Sequence, residues 1–242
     1  MKNLALVTLS LLLFTSCNAQ WGNKIKGNGN ITAIERSVGN YDALDMTGFF
    51  DVEFIDGQEG ALILTGEENL LAYIITEVKD GKLILKTKKG YNLQTSKRAG
   101  IKITVPVEEI NAVYLSGSGD ITSQTTLKGD SFSTTISGSG DITLDLLVLD
   151  LKTSISGSGD IDVSGTAERF DVSISGSGDI DAYNLTAKEV SVQISGSGDV
   201  DVTATENFKA RISGSGDINY RGNPSKVDTK SSGSGAISKV AP

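Results

Sequence analysis

The chain has 242 residues, 22 basic and 30 acidic side chains, a net charge of −8, one cysteine and no histidine. A single cysteine excludes an intramolecular disulfide, and the lack of histidine removes the commonest general base and every imidazole-built triad or zinc site. The acidic balance argues against nucleic acid and anionic headgroups as partners, while calcium and other hard cations remain compatible.

At the N-terminus, Lys2 precedes an uncharged, mostly apolar run from Leu4 to Phe14, followed by Thr15-Ser16-Cys17. The run is shorter than the ~20 residues a helix needs to span a bilayer core, so residues 1–16 read as a lipoprotein signal peptide. Small residues before the only cysteine resemble a lipobox and predict lipidation of Cys17, although Phe14 stands where that pattern usually has Leu. Cleavage after Ala19, which would discard the cysteine, is the rival reading. Mature from Cys17, the chain keeps 21 basic residues against 30 acidic ones, a net charge of −9. Asn18 is not the Asp that retains lipoproteins at the inner membrane, so the pattern points to the outer membrane. No acidic run follows Cys17, which favours a periplasm-facing orientation over the cell surface. Residues 17–38, Gly- and Asn-rich from Trp21 onward, read as a tether.

Residues 39–110 read as strands without a regular motif, forming an irregular β cap. Asp45 to Ile55 alternates weakly and contains Met46-Thr47-Gly48, a degenerate first coil. Ala61 to Thr65, Gly81 to Lys88 and Gly100 to Val107 are strand-like, Asp80-Gly81 is a hairpin turn, and Glu67 to Tyr73 is the one place for a short helical turn.

Residues 111–242 are repetitive. Ser-Gly-Ser-Gly-Asp starts at Ser116, Ser137, Ser156, Ser175, Ser195 and Ser213, and a seventh copy at Ser232 ends in Ala236. Steps of 18 to 21 residues suit one coil of a β-solenoid and are short for a propeller blade or a two-helix repeat. Counted from the first Ser, apolar residues recur one before (Ile136, Ile155, Ile174), five before (Phe132, Leu151, Phe170), five after (Ile142, Ile161, Ile180) and seven after (Leu144, Val163, Ala182). All these offsets are odd, the signature of a strand with one buried face. The same parity turns both motif glycines inward, where the lack of a Cβ allows a sharp bend or a positive φ, so the motif marks a corner of the coil. No coil buries enough to fold alone, and the array must share its core and its hydrogen-bond ladder.

Even offsets point outward and carry Ser, Ser, Asp and a further polar residue. In the middle coils they pair Asp160 with Asp162, Asp179 with Asp181, and Asp199 with Asp201. With ~4.8 Å between rungs, six carboxylates share one patch, so some pKa values rise, or neighbouring N–H groups satisfy the oxygens, or cations such as calcium bind between them. The plainer role for the motif Asp is to cap the glycine turn by accepting from backbone N–H groups. Tyr91, Tyr183 and Tyr220 could stack on sugars or simply pack. The Gly-Ser-Gly strings lack the Lys and following helix of a phosphate loop, and the outward Ser residues lack a base.

The string Tyr41-Asp42-Ala43-Leu44, the Val78-Lys79-Asp80-Gly81-Lys82-Leu83 hairpin and the serial Ile-Ser-Gly-Ser-Gly-Asp-Ile segments resemble the bacterial "putative autotransporter adhesin, head GIN domain" family of Bacteroidetes envelopes, over about Gly39 to Ser234. The resemblance implies a right-handed β-helix-like fold and an outer-envelope location, and brings no ligand and no catalytic residue with it.

The expected protein is therefore all-β, a right-handed β-helix or solenoid of ~19-residue coils with an irregular N-terminal β cap. Its expected role is that of a non-enzymatic envelope lipoprotein, an adhesin or binding module presenting a rigid Ser/Asp face to a glycan, a protein or another protomer. A carbohydrate-active β-helix enzyme or a purely structural envelope scaffold is the alternative. A groove flanked by long inserted loops would favour the enzyme; a smooth ladder would favour the others.

Overall fold

A computed structural model describes residues 22–96 and 100–241. The expected signal peptide, Cys17 and Trp21 lie outside the described residues. The chain forms a β-solenoid of about seven turns with ~19-residue spacing.

The regular part begins at β10 (Ala112–Gly117) and continues through β11 (Ile121–Ile136), β12 (Ile142–Ile155), β13 (Ile161–Ile174), β14 (Ile180–Ile194) and β15 (Val200–Gly214) to β16 (Ile218–Arg221), β17 (Lys226–Gly233) and β18 (Ile237–Lys239). Successive coils pair in parallel, with Ile142 opposite Ile161, Ile161 opposite Ile180 and Ile180 opposite Val200. Length differences between coils are absorbed as register shifts between Thr122 and Thr126, Asp162 and Gly165, and Ala182 and Thr186. These lie away from the motif, so the corners stay in register while the bends vary.

The cap reverses the order of chain and stack. Strands β3 (Ala43–Gly48) and β4 (Asp51–Asp56) form a true coil, paired in parallel with β10 and β11. On their other side lie β7 (Lys82–Thr87) and β9 (Lys102–Val107), also parallel. The degenerate coil around Met46 is thus sandwiched, and a later stretch of chain supplies the outer rung. Antiparallel strands finish the edge: β6 (Ile74–Lys79) on β7, and β5 (Ala61–Glu67) on β9 and on β2 (Ile31–Ser37). Asp80 and Gly81 take φ of 52° and 74° between β6 and β7, the left-handed pair a two-residue hairpin needs. The short helix α1 (Glu68–Leu71) falls in the expected stretch, and the Arg36 guanidinium donates to the carbonyls of Leu71 and Ile74 just beyond it.

Two expectations change. The stretch read as a tether contains β1 (Asn23–Lys26), paired with β8 (Tyr91–Gln94), and β2, so from residue 23 it is part of the folded cap. Short alternation such as Ile31-Thr32-Ala33-Ile34 was hidden among Gly and Asn. A fifth buried row also runs three residues before each motif, through Val113, Thr134, Thr153, Val172, Val192 and Ala210. Thr134 and Thr153 interrupt its apolar character, but their hydroxyls hydrogen-bond each other at 3.0 Å inside the core, which removes the desolvation cost of burying them.

Candidate functional site

The motif glycines explain the corner. The carbonyl of Gly138 points along the stack and accepts from the N–H of Ser158 on the next coil at 2.9 Å. A Cβ on Gly157 would sit 2.0 Å from that same oxygen. Gly176, Gly196 and Gly214 repeat this relation to their predecessors, and Gly159, Gly178, Gly198 and Gly216 form a second such column. Positive φ is not the reason: Gly233 is the one motif glycine in the left-handed region. Glycine is required because two backbones approach too closely for a side chain.

Phe50 closes the column at the cap. Gly48-Phe49-Phe50-Asp51 has the spacing of Gly117-Ser118-Gly119-Asp120, with Phe50 in the place of the second glycine. Its ring is fully buried against Gly48, and its carbonyl lies where a Cβ on Gly119 would go.

At the outer edge of each corner the motif aspartates form a ladder of their own. Asp141 N–H donates to Asp120 Oδ1 at 3.1 Å, Asp160 to Asp141 at 2.9 Å, Asp179 to Asp160 at 2.8 Å, Asp199 to Asp179 at 2.7 Å, and Asp217 to Asp199 at 2.7 Å. Asp51 begins the series by accepting from Asp120, and Ala236 ends it by donating to Asp217. Each carboxylate therefore satisfies the amide of the coil above, where the bend leaves that N–H without a carbonyl partner. Ala236, in the outermost described rung, carries no carboxylate.

The second acidic row lies beside the first, with Asp162 opposite Asp181 and Asp181 opposite Asp201. Asp181 accepts from the Tyr183 N–H at 3.1 Å, and Asp201 from the Asn219 amide at 3.0 Å. Loss of solvation, and then the neighbouring charge of Asp181, push the Asp162 carboxyl above the usual aspartate value. Asp141, Thr143, Asp160, Asp162, Asp179 and Asp181 surround a shallow depression of about 290 Å³. All six expected acids therefore lie on one face over three consecutive rungs. Among the described residues no group of three or more carboxylate, thiol or imidazole side chains is placed to hold a metal ion.

The tyrosines are occupied by the chain itself. Tyr220 stacks on Phe208 with 4.3 Å between ring centroids, Tyr91 packs on Tyr73 at 4.6 Å, and the Arg221 guanidinium covers Tyr183 at 3.7 Å. Sequence reading also missed Glu67, a fully buried carboxylate that accepts from Gly29 N–H at 2.6 Å and Ser96 N–H at 2.8 Å. The Ser96 N–H, opposed by burial and helped by the Gly29 N–H and the Ser96 side chain, holds its carboxyl below the ordinary glutamate value. Nothing in its local sequence marks it, since it joins segments 29 and 38 residues away.

The family model described as "Putative auto-transporter adhesin, head GIN domain" matches residues 40–224. The chain belongs to the head GIN domain family. Among solved structures of similar fold, a putative adhesin from Bacteroides fragilis NCTC 9343 is 26% identical with a TM-score of 0.81, covering 89% of this chain and 100% of its own. A putative lipid binding protein from Parabacteroides distasonis ATCC 8503 is 29% identical with a TM-score of 0.73, covering 90% and 100%. A putative adhesin from Parabacteroides merdae ATCC 43184 is 26% identical with a TM-score of 0.69, covering 90% and 99%. No curated protein sequence matches this head GIN chain significantly.

Proposed function

We propose that this chain is a non-enzymatic adhesin of the bacterial envelope, lipid-anchored to the outer membrane through Cys17 and facing the periplasm, with the Ser/Asp corner as its contact face. The observation that carries this reading is the unbroken aspartate-to-amide ladder from Asp51 to Ala236. A face whose side chains are fixed rung by rung is already ordered, so a partner binding there pays little entropy for ordering it. The coils differ by only a few residues and insert no long loop beside the paired acids, which favours a binding surface over a cleft for chemistry. Membership in an adhesin-named family supports the same conclusion.

The test is a glycan array and a protein pull-down with the full chain and with a triple variant, Asp162→Asn, Asp181→Asn, Asp201→Asn, which leaves the amide ladder intact. Capture of a partner by the parent and not by the variant supports the acidic face of the corner; equal capture by both removes the second acidic row from the contact. Addition of calcium and of EDTA to the same samples separates direct contacts from cation-bridged ones. Lipid anchoring is read independently, from incorporation of labelled fatty acid that disappears in Cys17→Ser. The name of the Parabacteroides distasonis relative raises lipid binding as a second reading; retention of the chain, with Cys17→Ser in place, on uncharged phospholipid vesicles would favour it over adhesion.

A further inference from the structure

The last coils carry a second feature unlike the corner. Strand β16 ends at Arg221, and Gly222, with φ of 93°, turns the chain into Asn223. Strand β18 lies parallel on β16, and Val240 N–H extends that ladder by donating to the Tyr220 carbonyl at 3.0 Å. Beside them lies a depression of about 830 Å³ walled by Tyr183, Thr203, Arg221, Asn223, Lys239 and Val240.

Two cations line it, while the Asp201 carboxylate reaches the hydroxyl of Tyr183 at its wall. Arg221 and Lys239 both line it, and among the described residues neither forms a salt bridge. Lys239 Nζ donates to Asn223 Oδ1 at 3.1 Å, a neutral partner that holds the ammonium in place without cancelling it. The Arg221 guanidinium lies over the Tyr183 ring, 3.7 Å from its centroid, and its buried Nε has no hydrogen-bond acceptor among the described residues. The cation–π contact holds the guanidinium at the wall of the depression, where its N–H groups can meet an acid. The depression opens on the side chain of Thr203, the amide of Asn223 and the aliphatic Val240, a mixture of hydrogen-bonding and apolar surface.

We propose that this depression binds a single carboxylated sugar unit, a hexuronate, with its carboxylate on Arg221 and Lys239 and its ring against Thr203, Asn223 and Val240. An Arg and Lys pair can hold a carboxylate or a phosphate; the Thr203 hydroxyl, the Asn223 amide and the apolar Val240 beside it suit the ring of an acidic sugar, and phosphate is therefore a comparison in the test. Asp201 and Asp181 lie beside Tyr183 at the edge of the site and disfavour a polyanion there, so a terminal acidic unit is favoured over a chain of them. The site is separate from the Ser/Asp corner, and its occupancy does not depend on the role assigned to that corner.

The experiment is calorimetric titration of the full chain in detergent micelles with sodium glucuronate, using glucose, inorganic phosphate and an acetylated tripeptide with a free C-terminus as comparisons. One glucuronate per chain is expected, weakened about tenfold or more by Arg221→Gln and by Lys239→Gln, and unchanged by Lys152→Gln at an exposed position two coils away. Absence of glucuronate binding, binding unaffected by either substitution, or equal affinity for glucose, phosphate or the tripeptide would overturn the assignment. Lys239 is exposed, so its variant decides the matter if Arg221→Gln melts early.

Discussion

The carboxylate of Asp160 accepts from the backbone N–H of Asp179, one coil further on, at 2.8 Å. It is a side chain standing in for a missing carbonyl. Asp160→Ala leaves the Asp179 amide with no acceptor and is expected to cost about 1–2 kcal/mol, whereas Asp160→Asn keeps an oxygen in place and costs less. Among the described residues no amide lies beyond Ala236, so Ala236→Asp should be neutral within about 0.5 kcal/mol. Chemical denaturation of the three variants checks the order; equal losses at Asp160→Ala and Ala236→Asp would refute the ladder as a stabilising element.

The glycine columns predict a sharper contrast. Gly157→Ala places a methyl 2.0 Å from the Gly138 carbonyl, with a coil on either side to prevent escape. A loss of at least about 3 kcal/mol is expected, by overpacking and by breaking the Ser158 contact to that carbonyl. Gly129→Ala, where the nearest atom is 3.8 Å away, should change stability little. Gly235→Ala meets the Gly216 carbonyl at 2.0 Å, but among the described residues no coil lies on its other side, so its rung can splay and the loss should fall between the two. Thermal melting ranks them.

Glu67 makes the cap acid-sensitive. Its folded pKa lies below the ordinary value of 4.5, so the unfolded chain binds the proton more readily. The stabilisation is fully present above that ordinary value and is lost as pH falls through the lower folded pKa. Glu67→Gln should melt lower than the parent at neutral pH, with the gap narrowing as the parent is titrated below pH ~4.5. A gap that stays constant down to pH ~3 would show that Glu67 contributes shape and not charge.

Asp162 should act with the opposite sign. Its folded pKa is raised, so the folded state holds the proton more tightly and stability falls as pH rises from the unfolded aspartate value through the folded one. Asp162→Asn is therefore expected to raise the melting temperature at neutral pH and to lose that advantage in acid. A lower melting temperature at neutral pH would mean that Asp162 is held by interactions that outweigh its crowding.

Much of this architecture is legible in one dimension. The motif recurs every 18 to 21 residues, and odd offsets carry Ile, Val, Leu and Phe, which fixes the solenoid, the corner and the inward rows. These signals are local and repeated, so each copy corroborates the others. The six acids could likewise be placed on one face from parity and step alone.

What only the tertiary structure decided is how neighbouring rungs use those residues. Sequence placed the motif glycines at a bend, but the cause of their requirement is the carbonyl of the coil below. It identified the motif Asp as a capping residue, but the donor is an amide 18 to 21 residues ahead. The Glu67 clamp joins residues with no periodic relation that marks them as partners; Thr134 with Thr153 and Tyr183 with Arg221 do share a repeat offset, one and two coils apart, but only the packing shows that they touch. In the cap, β7 and β9 lie outside β3 and β4 although they follow them in the chain. A repeat encodes its own spacing, because every coil sees the same neighbours; a chain that doubles back and packs once leaves no such pattern, and its order is settled by which apolar faces remain to be covered.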